Sequence, residues 1–364
     1  MLSARQRLVW IGEMIVASVL AIIGLLYLAN HLIVAPNLRA PLAKRGGLTV
    51  TPIVVIRVAV SFCFLLLSLG CIACAQVIPG KSFDAAAGPG TNYDKAEFRL
   101  WYPEQVKSFR AALVLVPGSN ADGRSDVNDR FWQAFASRYD IALIGCHFAD
   151  KPHDELVENY ANAAQGSGQA LLDAVVAFSS RSDHPELANA PLLLWGMSAG
   201  GEFNYEFTAW KPERVAAFIV NKGGVYFTAL LPTAARRVPG LLFVGEEDLE
   251  WRKRIVTGLF SLNRRAGALW ALVEEPKVGH VVGRSQEMAA VFFDAILSLR
   301  IEGNASTAPL VKLDERSGIV GELTQGSIQP PSAKLDPSRL TDWFPTERVA
   351  RAWQSLRRGD PLER

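Results

Sequence analysis

The chain has 364 residues, of which 49% are hydrophobic and 20% are charged, with a formal net charge of +2. That length is sufficient for one large domain with a buried core and for additional segments. Residues 1–76 contain six basic side chains and one acidic side chain, so the remainder of the chain carries a net charge of about −3. No basic stripe is left there to bind a phosphate backbone, which excludes nucleic-acid binding as the function.

Two long apolar runs lie near the N-terminus. The first spans residues 8–34 and is interrupted by Glu13 and His31, whereas the second spans residues 58–78 and contains no charged side chain. Each run is long enough to cross a hydrocarbon core of ~30 Å as a helix. Residues 1–78 are therefore predicted to form a hydrophobic, membrane-related region.

Three topologies are open for this region. In the first, the two runs form a transmembrane hairpin around the basic loop 39–45, which the positive-inside rule places in the cytoplasm. In the others, the second run is a signal peptide cleaved at Ala73-Cys74-Ala75, or a lipoprotein signal that ends at Cys71. Each topology puts the rest of the chain on the far side of the membrane, either anchored to it or released as a secreted or periplasmic protein.

Cysteine usage predicts no disulfide framework after this region. Cys63, Cys71 and Cys74 lie in or beside the second apolar run, which leaves Cys146 for the rest of the chain. Because Cys146 follows the apolar run 141–145, we expect a structural thiol at the end of a buried strand.

Residues 79–92 are mostly small or polar and predict a linker. After them, apolar runs with strand character alternate with segments of helical periodicity. This alternation predicts an α/β fold, with a mostly parallel sheet covered by helices on both faces. The segment 221–239 is too short for a large cap, so we expect an open site. The strand-like runs are 98–102, 113–116, 141–146, 192–195, 215–220, 241–244 and 268–273, and the helical segments are 130–138, 161–179, 201–210 and 285–299.

Residues 301–364 are predicted to form a C-terminal extension. Most of it is loop-like and rich in Pro and Ser, but Val349, Ala352, Trp353 and Leu356 near its end have the spacing of one helix face. These four side chains are expected to dock an amphipathic terminal helix on the core.

The strongest motif is a G-x-S-x-G sequence at residues 196–200, which follows the apolar strand 192–195 and precedes a helix. A serine on a sharp turn between a strand and a helix has its hydroxyl exposed above the edge of the sheet. Glycine two residues before and two residues after the serine removes Cβ atoms that would clash with neighbouring backbone. Ser198 is therefore the candidate nucleophile, and the helix N-terminus beside it can stabilise developing negative charge.

A serine hydroxyl needs a base to act as a nucleophile, and the base needs an acid to orient it. Where this motif occurs, the acid and then the histidine follow the serine along the chain, and His280 is the only histidine after Ser198. The acid is expected at the end of the preceding strand, where Glu246, Glu247 and Asp248 lie together. We choose Asp248, because the loop must turn before a carboxylate can face His280, and keep the two glutamates as alternatives.

The oxyanion that forms during acyl transfer is expected to be bound by two backbone N–H groups. One belongs to Ala199, directly after the nucleophile, and the other to the loop after strand 113–116. That loop begins with Pro and Gly. Of the two residues that follow, Ser119 is predicted as the second donor and Asn120 is the alternative.

The order of the segments PGSN, GMSAG, GEED and GH resembles the α/β-hydrolase superfamily over roughly residues 95–300. Within it, the chain is similar to the secreted esterases around polyhydroxybutyrate depolymerases and feruloyl esterases. It is also similar to the dienelactone hydrolases, which have cysteine where this chain has Ser198. The resemblance implies an α/β-hydrolase catalytic domain at residues 93–300, a triad of Ser198, Asp248 and His280, a covalent acyl-enzyme, and neither a metal nor another cofactor.

The function expected from these residues is hydrolysis of a carboxylic ester, in a small molecule or a polymer, by an exported serine hydrolase. The sequence departs from the lipase-type His-Gly-Gly pattern at residues 116–119, so the ester class stays open. A peptidase, an amidase or an acyltransferase would use the same three side chains. An alternative of a different class is an inactive, membrane-tethered binding protein, in which a fluorophosphonate probe would leave Ser198 unlabelled.

Overall fold

The structure is a computed structural model that describes residues 78–302, 309–322, 326–330 and 340–362. The two apolar N-terminal runs, and with them the predicted membrane or signal segments, lie outside these residues apart from Ile78. Within the described ranges, no helix combines the length and the apolar character that a membrane span requires.

Eight strands of the described chain form one sheet. They are β1 (Gly80–Ala87), β2 (Lys95–Pro103), β3 (Ala111–Val116), β4 (Ile141–Ala149), β5 (Leu192–Met197), β6 (Val215–Asn221), β7 (Gly240–Gly245) and β8 (Trp270–Glu275). Their order across the sheet is β1-β2-β4-β3-β5-β6-β7-β8. Strands β3 to β8 run parallel to one another, whereas β1 and β4 each pair with β2 in the antiparallel direction.

Seven α-helices lie among the described residues. They are α1 (Arg130–Tyr139), α2 (Ser167–Arg181), α3 (Ala199–Trp210), α4 (Thr233–Arg236), α5 (Glu250–Arg265), α6 (Ser285–Arg300) and α7 (Glu347–Arg358). Two of them start at side chains that accept free N–H groups of the first turn: Asp129 at α1 and Thr346 at α7. Helix α7 ends at Gly359, whose φ of 75° suits a residue without a Cβ atom.

A hydrophobic core lies on each face of the sheet. Even-numbered residues of β3, such as Val114, belong to the core that α2, α3 and α5 cover, and odd-numbered residues, such as Leu113, belong to the core of α1, α6 and α7. A strand buried on both faces needs apolar residues at every position, which β3 has. The strand order, the parallel strands and the helices on both faces define the α/β-hydrolase fold and confirm the predicted fold class. Between β6 and β7 the chain forms only the short helix α4, so no large cap is inserted there.

The segment 79–92, predicted to be a linker, contains strand β1. The strand pairs with β2 along all eight of its residues, and Asp84 forms an ion pair of 2.6 Å with Arg99 on β2. Pairing and this ion pair override the low strand propensity of its small and polar residues. Because β1 is a largely exposed edge strand, it lacks the apolar alternation that predicts strands from sequence.

The C-terminal extension, predicted to be loop-like before its last helix, contains a second sheet. Its strands are β9 (Ile319–Glu322), β10 (Ile328–Gln329) and β11 (Thr341–Phe344), in the order β10-β9-β11. These strands are only two to four residues long, too short for periodicity to reveal them.

Strand β11 and helix α7 cover the free edge of β8. The N–H of Leu272 on β8 donates to Asp342 Oδ1 at 2.6 Å, and the Leu272 carbonyl accepts from Trp353 Nε1 at 2.8 Å. The four apolar side chains predicted to dock the terminal helix are all buried. The extension therefore satisfies backbone groups that would otherwise offer a template for pairing with another chain.

Asp342 makes the stability of this contact depend on pH. Burial raises the pKa of Asp342 from its ordinary value of 3.8 to about 8. Between these two pH values the carboxyl group is protonated in the folded chain and ionised in the unfolded chain. The free energy of unfolding should therefore fall as pH rises through this window, by roughly 1.4 kcal/mol per pH unit at most. Urea unfolding of the parent and of Asp342→Asn at several pH values from 5 to 9 measures this contribution. The free energy of unfolding of the parent should fall relative to that of Asp342→Asn as pH rises to about 8. The same dependence on pH in both proteins would contradict the assignment.

Candidate active site

Ser198 lies at the turn between strand β5 and helix α3. Its backbone has φ 54° and ψ −125°, a conformation that residues with a side chain rarely adopt. The Ser198 N–H donates to the carbonyl of Asn221 at 2.8 Å, and the Ser198 carbonyl accepts from the N–H of Gly201 at 2.8 Å. Main-chain hydrogen bonds therefore hold the serine at the carboxyl edge of the sheet.

Close backbone packing requires the two glycines of the motif. A Cβ atom on Gly200 would lie 2.2 Å from the carbonyl oxygen of Val116, at the end of β3. A Cβ atom on Gly196 would lie 2.3 Å from the carbonyl oxygen of Gly200. Because the obstructing atoms are backbone atoms, they cannot rotate away, and a larger residue at either position would displace Ser198.

The structure brings the side chains of Ser198, His280 and Asp248 together. His280 Nε2 lies 3.0 Å from Ser198 Oγ, and His280 Nδ1 lies 2.9 Å from Asp248 Oδ2. An ionised carboxylate can only accept, so Nδ1 carries the proton and Nε2 can accept from the serine hydroxyl. The Asp248 side chain is 2% exposed and the His280 side chain 32% exposed, so solvent reaches the imidazole but not its partner.

Asp248 is ionised despite its burial. Burial alone would raise its pKa, but hydrogen bonds from His280, from the N–H of Leu249 and from Arg252 hold the pKa of Asp248 below its ordinary value. A carboxylate bound in this way can fix the orientation of an imidazole.

The two alternative acids lie elsewhere. Glu246 Oε2 accepts from the N–H of Lys277 at 2.7 Å, and Glu247 is exposed to solvent. Of the three carboxylates after β7, Asp248 is therefore the one that the structure brings to His280.

The loop after β3 passes close to Ser198. A Cβ atom on Gly118 would lie 3.6 Å from the Cβ of Ser198, so the loop backbone is in van der Waals range of the serine. Ala199 is the first residue of α3, where N–H groups have no carbonyl partner within the helix. The residues predicted to donate to an oxyanion, Ser119 and Ala199, thus belong to two segments that meet at Ser198.

Glu158 holds this loop. The Ser119 hydroxyl donates to Glu158 Oε1, and the Asn120 amide donates to Glu158 Oε2 at 3.0 Å. Asn120 has a left-handed backbone with φ 52°, and its side-chain oxygen accepts from the N–H of Asp150 at 2.7 Å. The segment that follows β4 therefore fixes the loop that follows β3.

Asp150, His153 and Glu158 could each offer one ligand atom to a metal ion, since these atoms lie within 4.8 Å of one another. Their hydrogen bonds indicate a structural role instead. His153 Nε2 lies 2.9 Å from Asp150 Oδ2, and Asp150 Oδ1 accepts from the N–H of Tyr160 at 2.9 Å. These contacts explain why the three side chains lie together: they fix the conformation of the segment that contains Glu158.

A buried ion pair lies next to the loop that carries His280. Lys222, which follows β6, pairs with Glu275 Oε2 at the end of β8 and donates to Asn221 Oδ1 at 3.0 Å. The side chains of Lys222 and Glu275 are 0% and 1% exposed. Burial lowers the pKa of Lys222, which the charge of Glu275 partly offsets.

The same polar groups hold the far end of this loop. Glu275 Oε1 accepts from the N–H of Arg284 at 2.6 Å, and Asn221 Nδ2 donates to the carbonyl of Val282 at 3.0 Å. Residues 276–283, which include His280, are therefore tied at both ends to groups at the ends of β6 and β8.

Several residues that surround the three central side chains were not among those predicted from the sequence. Arg252 follows Asp248 by four positions at the start of a helix, a spacing that brings side chains together and could have indicated the contact. Lys222 and Glu275 are charged residues at or just after the ends of buried strands, which is also a usable signal. Glu158 has no local signal, because its contacts with the loop after β3 join segments about 38 residues apart.

No protein-family model matches the chain, and a search of curated proteins gave no match. Among solved structures, the chain is similar to LpqC, a poly(3-hydroxybutyrate) depolymerase from Bordetella parapertussis, with 18% identity, a TM-score of 0.45, and coverage of 62% of this chain and 92% of that chain. It is also similar to a ferulic acid esterase, with 11% identity, a TM-score of 0.45, and coverage of 62% of this chain and 98% of that chain. These are two of the kinds of esterase that the sequence motifs resemble.

The ion pair beside the histidine loop can be tested with Glu275→Gln. Removing the charge leaves a buried ammonium without its counter-ion, so we expect the free energy of unfolding to fall by about 3 kcal/mol. Urea unfolding measures the loss. Glu274→Gln is the matched control, because Glu274 is the exposed neighbour on the same strand and should change stability by less than about 0.5 kcal/mol. Equal stability of the two variants would show that the pair does not stabilise the folded chain.

Proposed function

We propose that this chain is a serine hydrolase that cleaves carboxylic esters through a covalent acyl-enzyme. The observation that carries the proposal is the continuous chain of hydrogen bonds from the Ser198 hydroxyl through the His280 imidazole to the Asp248 carboxylate, at 3.0 and 2.9 Å. Such distances allow a general base to take the proton of a nucleophile. The strained turn at Ser198 supports the same role, because it exposes the hydroxyl at the carboxyl edge of the sheet.

In the acylation step, Ser198 Oγ forms a bond to the ester carbonyl carbon while His280 Nε2 takes the hydroxyl proton. Asp248 keeps the imidazole oriented and stabilises the imidazolium that forms. The tetrahedral intermediate then breaks its bond to the alcohol oxygen, and His280 returns the proton to that oxygen. The alcohol leaves, and the acyl group stays on Ser198.

In the deacylation step, water takes the place of the serine hydroxyl. His280 removes a proton from the water as it attacks the acyl carbon, and the bond to Ser198 Oγ breaks as the proton is returned to that atom. The carboxylic acid is released and the enzyme is restored. The two steps need no metal or other cofactor.

The N–H groups of Ala199 and Ser119 are the proposed donors to the oxyanion in both steps. Ala199 is the first residue of α3, where the helix dipole gives a positive potential. The glycine before Ser119 supports this assignment, since it lets the loop backbone approach Ser198 closely.

The proposed substrate is an ester in a small molecule or a polymer. The absence of a cap between β6 and β7 and the partly exposed His280 side chain leave room for a bulky ester. We place the enzyme outside the cytoplasm, held at the membrane through residues 1–78 or released from it, because that region contains two apolar runs of membrane-spanning length.

Replacing the nucleophile tests the proposal. Ser198→Ala removes the attacking oxygen, so kcat for a short p-nitrophenyl ester should fall by about 10⁴-fold or more. Thermal unfolding should show that the variant is folded. Ser180→Ala, at an exposed serine on α2, is the control and should keep the parent activity.

A fluorophosphonate probe distinguishes the remaining possibilities. An ester hydrolase should be labelled at Ser198, whereas an unlabelled Ser198 in the folded parent would identify a binding protein instead. Faster turnover of amide than of ester substrates would indicate an amidase or a peptidase. Transfer of the acyl group to an added alcohol in preference to water would indicate an acyltransferase.

The main-chain assignment of the second oxyanion donor gives a separate prediction. Ser119→Ala removes the hydroxyl that contacts Glu158 but keeps the backbone N–H. The loss of kcat should therefore stay within about tenfold, below the 10²–10³ that follows removal of one oxyanion donor. Steady-state kinetics on the same p-nitrophenyl ester measure it, and a loss of more than about 10² would mean that the hydroxyl itself is the donor.

A further inference from the structure

Arg252 contacts the side of Asp248 that faces away from the histidine. It is the third residue of α5, and its Nη1 lies 2.5 Å from Asp248 Oδ1, while Asp248 Oδ2 lies 2.9 Å from His280 Nδ1. The side chains of Arg252 and Asp248 are 16% and 2% exposed, so solvent screens the pair only weakly. One carboxylate therefore lies between the guanidinium of Arg252 and the imidazole of His280.

We propose that Arg252 is a positioning residue that sets the proton affinity of His280 by holding Asp248 and offsetting part of its charge. The inference rests on the proposed function, in which His280 must accept and return a proton. An unopposed carboxylate beside an imidazole favours the imidazolium form. A guanidinium bound to the same carboxylate weakens this effect, because its positive charge partly neutralises the carboxylate and repels the positive charge of the imidazolium.

Helix stability does not account for Arg252 at this place. A cation in the first turn of a helix lies at the positive end of the helix dipole, where acidic side chains are favoured. The cost is offset by the hydrogen bond to Asp248, which directly precedes Leu249 and the start of α5. The arginine thus occupies a position that is unfavourable for the helix and favourable for the carboxylate.

Arg252 is fixed by its neighbours as well as by Asp248. Its guanidinium carbon lies 4.8 Å from the centre of the Trp251 ring. A Cβ atom on Gly224 would lie 3.3 Å from Arg252 Nε and equally far from Glu202 Oε1. The side chain therefore passes along the Gly224 backbone in a defined orientation, which a flexible surface arginine would not have.

Other charged groups lie near Asp248 or Arg252, and their effects must be separated from that of Arg252. Lys222 is paired with Glu275, and Glu246 is exposed and bound to the N–H of Lys277. Glu202 is buried and accepts from the N–H of Gly224, and its burial raises its pKa to about 7.

Glu202 therefore titrates in the range where a histidine does. A pH profile of activity alone would mix the two groups, so the measurement must read the imidazole of His280 directly.

The test is an NMR titration of protein labelled with ¹³C-histidine. The His280 signal is identified as the one that His280→Ala lacks. Arg252→Gln should move the titration of the His280 signal to higher pH, and the acid limb of the profile of kcat/KM against pH should move in the same direction. Arg252→Lys keeps the charge and should stay close to the parent. Arg254→Gln is the control, because Arg254 lies on the same helix with 78% of its side chain exposed.

The inference is overturned if the Arg252→Gln protein is folded and its His280 signal titrates as in the parent, or if the lysine variant shifts as far as the glutamine variant. If Arg252→Gln does not fold, Arg252→Met, which keeps the apolar stem, replaces it in the titration. Failure of both to fold would make the arginine a structural residue and would also overturn the inference. Failure of the proposed function has a different signature, a parent protein in which fluorophosphonate does not label Ser198.

Discussion

The close approach of helix α3 to the end of strand β3 is the constraint on which the candidate site depends. A Cβ atom on Gly200 would meet the carbonyl of Val116 at 2.2 Å, so the helix can begin here only with glycine at that position. At this start Ser198 has a backbone conformation with φ 54°, and its side chain is partly exposed. The same contact brings the loop after β3, with Gly118, against the serine. One backbone packing contact thus determines where the proposed nucleophile lies and which N–H groups surround it.

The histidine depends on polar side chains rather than on backbone packing. Residues 276–283 contain no helix or strand. Glu275, directly before them, pairs with Lys222 and accepts from the N–H of Arg284, directly after them. The close backbone packing at Gly196 and Gly200 leaves no space for a larger residue, whereas a buried ion pair tolerates changes that keep its charge balance. The Ser198 turn and the His280 loop should therefore differ in which substitutions they tolerate, although the two side chains meet in a hydrogen bond of 3.0 Å.

Local patterns predict the parts of this chain that are apolar or have a motif. Apolar runs that alternate with helical segments predicted β2 to β8 and the helices α1, α2, α3 and α6, and the glycine spacing around Ser198 predicted the turn, whereas helices α4 and α5 were not predicted. The same patterns do not predict strands that form because a neighbouring strand pairs with them or that are too short to show a period. Strand β1 has few apolar residues and exists because β2 pairs with it, and β9 to β11 are too short to show a period. Around the site, Glu158 could not be found from sequence because its contacts with Asn120 follow from the order of strands in the sheet, which no local pattern encodes.

Buried charges occur at both edges of the sheet, but they have different partners. At the amino edge, Arg300 donates to carbonyl groups at the start of β6, which gives buried backbone acceptors the partners they need. At the carboxyl edge, the pairs Lys222–Glu275 and Asp248–Arg252 join side chain to side chain. Replacing such pairs by apolar residues of similar volume often leaves a protein equally stable or more stable, because the free energy lost on removing the charges from water is about as large as that gained from their attraction. Stability alone therefore explains the arginine at the amino edge but not the pairs at the carboxyl edge. A fixed set of charges is what the proposed proton transfer through His280 would need, since the field at the imidazole is then in place before the reaction begins.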